Sequence, residues 1–364
     1  MRRRGLTVLL GAVLTVLLGI QIGRTDVPFV SLSPGPTVDT LGAVDRNGEP
    51  CKNPSVPSPV PNGSPAAPEP ACQLVIQITG APTSTAKGQL RMVTVSIQPN
   101  LSLIEAIKGW WARDEAVLPR KFYYPDGVTE QQVEQQSKQE FEASQSSAET
   151  IALRKLGYPV FVTVSEVTAD GASVGKLQVG DIIESVDGTT VTSRQKLVEL
   201  IQAKDVGTTL QIGYSRNGVK ATVPITTKPG PDKKPRIGVT AQSVQHQPFQ
   251  VKIRLDKIGG PSAGMMFALG IIEKMTPDDL THGVVVAGTG EIDEEGNVGK
   301  IGGISQKLYG ARAAGATVFL TPADNCEEAK RDIPEGLRLV KVSTLDDALA
   351  ALNALPGGQS LPSC

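Results

Sequence analysis

From Ser262 onward the chain reads SAGMMFALGIIEKM, in which Ala263, Phe267, Gly270 and Ile271 recur at helical spacing while Met266, Leu269 and Ile272 beside them are apolar as well. A helix with so little polar surface has to be enclosed, so the domain that holds it must supply further layers around it. This buried helix begins at Ser262, directly after Gly259, Gly260 and Pro261. Two readings of Ser262 follow from that position. Serine is a favoured N-cap, because its oxygen accepts a backbone N–H. The same helix end directs amides and the positive end of the dipole at the spot, so an oxyanion formed by attack at Ser262 would be stabilised there. Pro261 has no N–H to donate, which leaves the amides of Gly260, Ser262 or their neighbours.

A nucleophile needs a base. In ISQKLYGARAAG, residues Ile304, Lys307, Leu308 and Ala311 follow the i, i+3, i+4, i+7 pattern, so Lys307 lies on the apolar stripe of a helix. Burial disfavours the charged amine, and a neutral amine is what a general base requires. The alternative is a lysine that snorkels, keeping its head in water. The chain has two histidines, His246 and His282, so a Ser-His mechanism would have to use one of them, and neither stands in a recognisable triad context. So few histidines also argue against a multi-histidine metal site, and no metal or cofactor is expected. Lys plus Arg total 36 against 37 Asp plus Glu with no dense basic cluster, which gives nucleic-acid binding no electrostatic basis.

The chain opens MRRRGLTVLLGAVLTVLLGIQIGRTD, three arginines and then an uncharged run of 19 residues from Gly5 to Gly23. That is close to the roughly 20 residues needed to cross a bilayer, and no A-x-A-like cleavage site follows it. An uncleaved single-pass anchor in the cell membrane is expected, with residues 1–4 cytoplasmic and everything after Arg24 outside. Cys51 and Cys72 bracket a Pro/Ser-rich stretch with no means of building a core, and an external location permits a disulfide between them. Cys326 reads as part of an ordinary loop and helix after a strand.

Between these landmarks, VPFVSLSPGPTVDTLGAV predicts a strand followed by Pro/Gly turns, and GQLRMVTVSI a strand with Leu90, Met92, Thr94 and Ser96 on one face. LSLIEAIKGWWARD predicts an amphipathic helix with Leu103, Ile104, Ile107 and Trp111 on one side. TEQQVEQQSKQEFEASQSSAETIALRKLG predicts a long polar helix, a spacer or a solvated face.

From Tyr158 to Thr227 short strands alternate with turns around one helix, SRQKLVELIQA. With Leu177, Gly180, Asp181, Ile182, Ile183, Val186, Asp187 and Gly188 forming L-x-x-G-D-x-I-x-x-V-D-G, the segment resembles a PDZ domain. Such domains bind peptide C-termini by strand addition, with backbone amides of a loop holding the carboxylate. By position that loop is Gly157, Tyr158, Pro159 and Val160, although Pro159 has no amide to contribute. A PDZ domain that only spaces or orients its neighbour is the other reading.

GGPSAG, AGTGEI and, 45 residues after the serine, Lys307 in IGGISQKLYGA together resemble the proteolytic domain of Lon-type serine proteases over about residues 237–352. The resemblance implies a Ser-Lys dyad of Ser262 and Lys307, with Thr289 lining or supporting the site. No G-x-x-x-x-G-K-[ST] motif occurs, so no ATPase motor is expected in this chain. The order of anchor, SPGPT, PDZ and dyad resembles membrane-anchored, PDZ-containing Lon-like proteases of bacteria. The implied fold class is an α/β (α+β) Lon-type proteolytic domain with an inserted β-rich PDZ domain, preceded by one transmembrane helix. The expected parts are a first protease segment at 24–120 with a loop at 49–71, a helical connector at 121–156, the PDZ domain at 157–228, the dyad-bearing segment at 229–356 and a tail at 357–364. The implied activity is an ATP-independent serine endopeptidase acting on extracytoplasmic or membrane proteins. A non-catalytic PDZ adaptor at the membrane is the competing reading. Partners would be protein or peptide substrates, and the family forms hexameric rings.

Overall fold

The structure is a computed structural model that describes residues 13, 21, 23–45, 48–51, 72–255, 258–357 and 361–364. The anchor expected at residues 5–23 lies outside the described residues apart from Val13, Gln21 and Gly23, as do most of the 49–71 loop and Lys257. Among the described residues no helix is long and apolar enough to cross a membrane.

One mixed sheet organises the larger body. Its strands run in the spatial order Arg338–Val342, Val318–Pro322, Val285–Gly288, Gln89–Gln98, Phe29–Asp39 and Ala116–Pro119. The first four are parallel, and the last two add antiparallel. Strands from both ends of the chain therefore share one sheet, with the segment from Val160 to Gln245 folding between them in sequence.

The enclosed helix expected from the sequence spans Gly264–Met275, and every residue from Gly264 to Lys274 is buried. It packs on one face of the sheet against Leu90, Met92, Val286, Leu320 and Val340. Helix Ile304–Ala313 covers the opposite face, where Ile304, Leu308 and Ala311 meet Val93, Ala287 and Phe319. Strand 89–98 is thus covered on both faces at its start, with Leu90 and Met92 to one side and Val93 to the other, while Ser96 at its far end is exposed.

Three local expectations are corrected. The Pro/Gly turn at residues 34–36 is a register shift inside a continuous strand, Phe29–Asp39. Thr94 Oγ1 donates to Pro36 O at 2.7 Å, and Gly35 lies so close to Thr94 that a Cβ there would collide with it. The amphipathic helix covers Leu103–Trp111, but its buried residues are Ala106 and Gly109, and the apolar stripe faces outward. The long polar helix, Glu130–Lys155, is no solvated spacer: Phe141, Ser144, Ala148, Ile151, Ala152 and Leu153 are buried. Phe141 meets Phe267 edge to face at 5.7 Å, which docks this helix on the enclosed one. Cys326 opens the helical turn 326–329 after strand 318–322, as expected, and is also bonded to Cys364, which ties down the C-terminal residues; Cys51 is bonded to Cys72, the pairing that the sequence permits.

The second body is a sheet in the order Val219–Thr226, Thr209–Arg216, Ile182–Val186, Val160–Val167 and Val239–Gln245, with helix Arg194–Gln202 against it. Val162, Val164, Ile183, Val186, Leu197, Ile212 and Ile225 form its core. Asp181, fully buried, accepts from Arg216 Nε and Nη2 at 2.7 Å each. The turn 293–295 joins the bodies: Thr192 Oγ1 donates to Glu295 Oε1 at 2.9 Å, Gln195 Nε2 to Asp293 Oδ2 at 3.4 Å, and Ser243 Oγ to Glu294.

Candidate active site

The N-cap of the enclosed helix is Ala263, and no side chain caps it. Ser262 stands one residue before and does not serve as a cap. Its Oγ lies 2.8 Å from Lys307 Nζ instead. Its backbone is anchored from outside: Ser262 O accepts from Gly290 N at 2.8 Å and from Thr289 Oγ1 at 2.9 Å.

Lys307 comes from the opposite side of the sheet's end, on the first turn of helix 304–313, and is 3% exposed. Burial among apolar neighbours lowers its amine to about 7, a shift that the nearby Glu291 carboxylate partly offsets. Near neutral pH a large share of this lysine is therefore uncharged. Lys307 Nζ also lies 3.0 Å from Thr289 Oγ1. The one hydroxyl proton of Thr289 is spent on Ser262 O, so toward the lysine Thr289 can only accept. That interaction holds one amine N–H and leaves the lone pair of the neutral form free for the serine hydroxyl. Thr289, fully buried, thus orients both partners.

Gly260 takes a left-handed conformation (φ 82°), as a glycine there allows. Its N–H is already committed, donating to Ser137 O of the long helix at 2.8 Å. Ser144 Oγ of the same helix donates to Pro261 O at 2.8 Å. Sequence reasoning missed this clamp. A chain of Ser, Gln and Glu at these positions looks solvated, and only the side-by-side packing of helices 130–155 and 264–275 makes Ser137 and Ser144 neighbours of the loop at residues 259–262.

Ser262 and Lys307 open into a cleft of about 770 Å³, walled by residues that include Phe122, Tyr123, Val133, Glu140, Ile258 and Glu291. Burial, then the charge of Glu140, raises the Glu291 carboxyl, and Lys307 pulls it back. The cleft therefore mixes apolar walls with two carboxylates. Both histidines are exposed, His246 against the ring of Phe161 and His282 in a left-handed turn, and neither lines the cleft. Among the described residues no group of three or more His, Cys, Asp or Glu is placed to hold a metal ion.

The sequence points to Gly157, Tyr158, Pro159 and Val160 as the peptide-binding loop. Gly157 N and Tyr158 N donate to Arg154 O and Leu153 O, so these residues close the C-terminus of the long helix. The strand that follows, Val160–Val167, is paired on both edges, with Ile182–Val186 and with Val239–Gln245. It has no free edge for strand addition. The sheet instead ends at Val239–Gln245. Between that edge and helix 194–202 runs a groove of about 360 Å³, closed at one end by Pro235, Arg236, Ile237 and Gly238. Gly238 is left-handed (φ 78°). The signal in the sequence was RIGV ahead of a strand at 239–245, assigned there to the protease segment.

Residues 132–227 match the family model of the PDZ domain, and residues 253–354 match that of the Lon protease (S16) C-terminal proteolytic domain. Lon protease 1 of Sorangium cellulosum is 31% identical over 119 residues, which cover 31% of this chain and 14% of that protein. Lon protease 1 of Bacillus subtilis is 39% identical over 94 residues, 25% of this chain and 12% of that protein. The chain thus spans a small part, 14% and 12%, of the length of these two relatives. Among solved structures, the PDZ domain of the SdrC-like protein from Listeria monocytogenes is 30% identical, covering 22% of this chain and 85% of that one, with a TM-score of 0.21. The chain carries a PDZ domain and a Lon protease C-terminal proteolytic domain in one polypeptide.

Proposed function

We propose that this protein is a membrane-anchored serine endopeptidase that works by a Ser262–Lys307 dyad without ATP. The observation that carries the reading is the 2.8 Å approach of Lys307 Nζ to Ser262 Oγ, with the amine lowered by burial to about 7. Neutral Lys307 takes the hydroxyl proton as Ser262 Oγ attacks a peptide carbonyl. The resulting ammonium protonates the leaving amine, the acyl group remains on Ser262, and water activated by the same amine releases it. Gly260 N–H is engaged with Ser137, so the oxyanion would be met by the amides of Ser262 and Ala263 at the positive end of helix 264–275.

The PDZ domain would present substrate through the groove between strand 239–245 and helix 194–202, by addition of an extended peptide to the open edge. We read it as an insertion into the protease fold, a reading supported by the single sheet that strands 29–39, 89–98 and 116–119 share with strands 285–288, 318–322 and 338–342. Both cysteine pairs are bonded, which suits an extracytoplasmic location. With no nucleotide-binding motif in the chain, substrates would be segments already exposed or flexible. Peptide cleavage by the purified protein and by Ser262→Ala tests the proposal. Equal activity in the two preparations overturns it.

A further inference from the structure

Helix 103–111 is seated by its smallest residues. Ala106 and Gly109, three apart, are its buried positions, and a Cβ on Gly109 would come within 2.7 Å of Val117 Cγ2. This close seat turns three large side chains away from the sheet, Ile104 43% exposed, Ile107 44% and Trp111 86%, while Trp110 rests edge to face on Phe29 at 5.7 Å and is 56% exposed. Ile104, Ile107 and Trp111 follow i, i+3, i+7, a single outward apolar stripe on a helix whose N-terminus is closed by a Ser102–Glu105 capping box. Isolated exposed apolar residues need no account, but a contiguous stripe does.

Its place in the fold says what covers it. Strand Asp26–Val27 pairs with Leu101–Ser102, and Leu103 N donates to Thr25 O at 3.0 Å. A Cβ on Gly23 would run into Ile104 Cδ1. Gly23 is the last residue of the uncharged run from Gly5, so the stripe begins where that run ends.

We propose that helix 103–111 lies in the lipid–water interface of the membrane that residues 5–23 cross, with Ile104, Ile107 and Trp111 among the headgroups and upper acyl chains. The proposal rests on the anchor reading. Tryptophan suits that depth because its ring is apolar while its indole N–H seeks a polar partner. A short helix with one apolar stripe binds in the plane of the interface. Two attachments, the anchor and this helix, would fix the tilt of the sheet on the bilayer and hold the cleft beside Phe122 and Tyr123 at a set height.

Trp110 and Trp111 are the two tryptophans of the chain, so intrinsic fluorescence reports on this helix alone. The full-length protein is reconstituted into phosphatidylcholine/phosphatidylglycerol vesicles, floated on a density gradient, and titrated with acrylamide and with lipids brominated near the glycerol end of the acyl chain. The expected result is flotation, emission shifted to shorter wavelength, protection from acrylamide and strong quenching by the brominated lipids. Ile104→Ser/Ile107→Ser should float and still cleave a short peptide while losing that quenching. Failure to float overturns the anchor reading, and this proposal with it. Flotation with tryptophans open to acrylamide and untouched by brominated lipid overturns this proposal alone. Tryptophans shielded from both quenchers would mean that a second copy covers the stripe, which also overturns it.

Discussion

At the cleft beside Ser262 the polar groups satisfy one another inside the protein: Lys307, Ser262 and Thr289 are linked by distances of 2.8 to 3.0 Å, and Lys307 and Thr289 are buried. At the groove beside helix 194–202 the arrangement is reversed, with strand 239–245 at the sheet's edge and its outer side facing the groove proposed to take peptide. On the proposed reading the first site stores its chemistry in advance, because a lysine can serve as a base near neutral pH only where the protein has removed its water. The second has no chemistry to store. In the proposed strand addition its backbone groups exchange water for a partner strand.

The contrast can be broken most directly at the dyad. Ser262→Ala or Lys307→Met should lower peptide cleavage by about 10^4-fold or more, as removal of a member of such a catalytic unit does, while the affinity for a peptide bound in the groove stays the same. Equal losses of cleavage and groove binding would show that the two sites are not separable. Thr289→Val removes the acceptor that orients the lysine and the donor to Ser262 O, and a loss on the order of 10- to 100-fold is expected, comparable to loss of a supporting hydrogen bond at a reactive centre. Circular dichroism before and after should superimpose.

The pH profile sharpens the comparison further. With Lys307 at about 7, the neutral amine is the active form, so kcat/KM should rise with pH through an apparent midpoint near 7 and fall roughly tenfold per unit on the acid side. Groove binding should not follow that curve. A midpoint above 9 would mean that the lysine is not desolvated in solution. The smallest effect is expected at the groove itself, where Val198 lines the wall and is 41% exposed. Val198→Glu should weaken binding of a peptide C-terminus about tenfold, measured by fluorescence anisotropy, with cleavage of a short peptide unchanged.

Much of the catalytic side was legible because its signals are local. The enclosed helix announces itself by composition, and Lys307 by its place on a stripe with Ile304, Leu308 and Ala311. The open edge of the second sheet was not legible, for the opposite reason. Gly157 to Pro159 lead directly into strand Val160–Val167, but strand 239–245, far along the chain, pairs with that strand and takes the edge. No periodicity reports which of two strands lies outside. The same applies to helix 103–111: its 3.6-residue pattern was correct, yet Ala106 and Gly109 won the contact with the sheet because small residues let backbones approach closely, and the larger stripe was turned out.

The amino-acid sequence by itself determined the enclosed helix behind Ser262, the place of Lys307 on an apolar stripe and the presence of two kinds of domain, since each depends on local patterns of residues. Only the tertiary structure decided that Lys307 reaches Ser262 rather than solvent, that Thr289 spends its proton on Ser262 O, that Ser137 holds Gly260 N–H, and which strand edge stays open. Each of those is a choice between partners separated by 18 to 123 residues in the chain, and such choices are made by the packing of whole elements against one another, which no short stretch of sequence encodes.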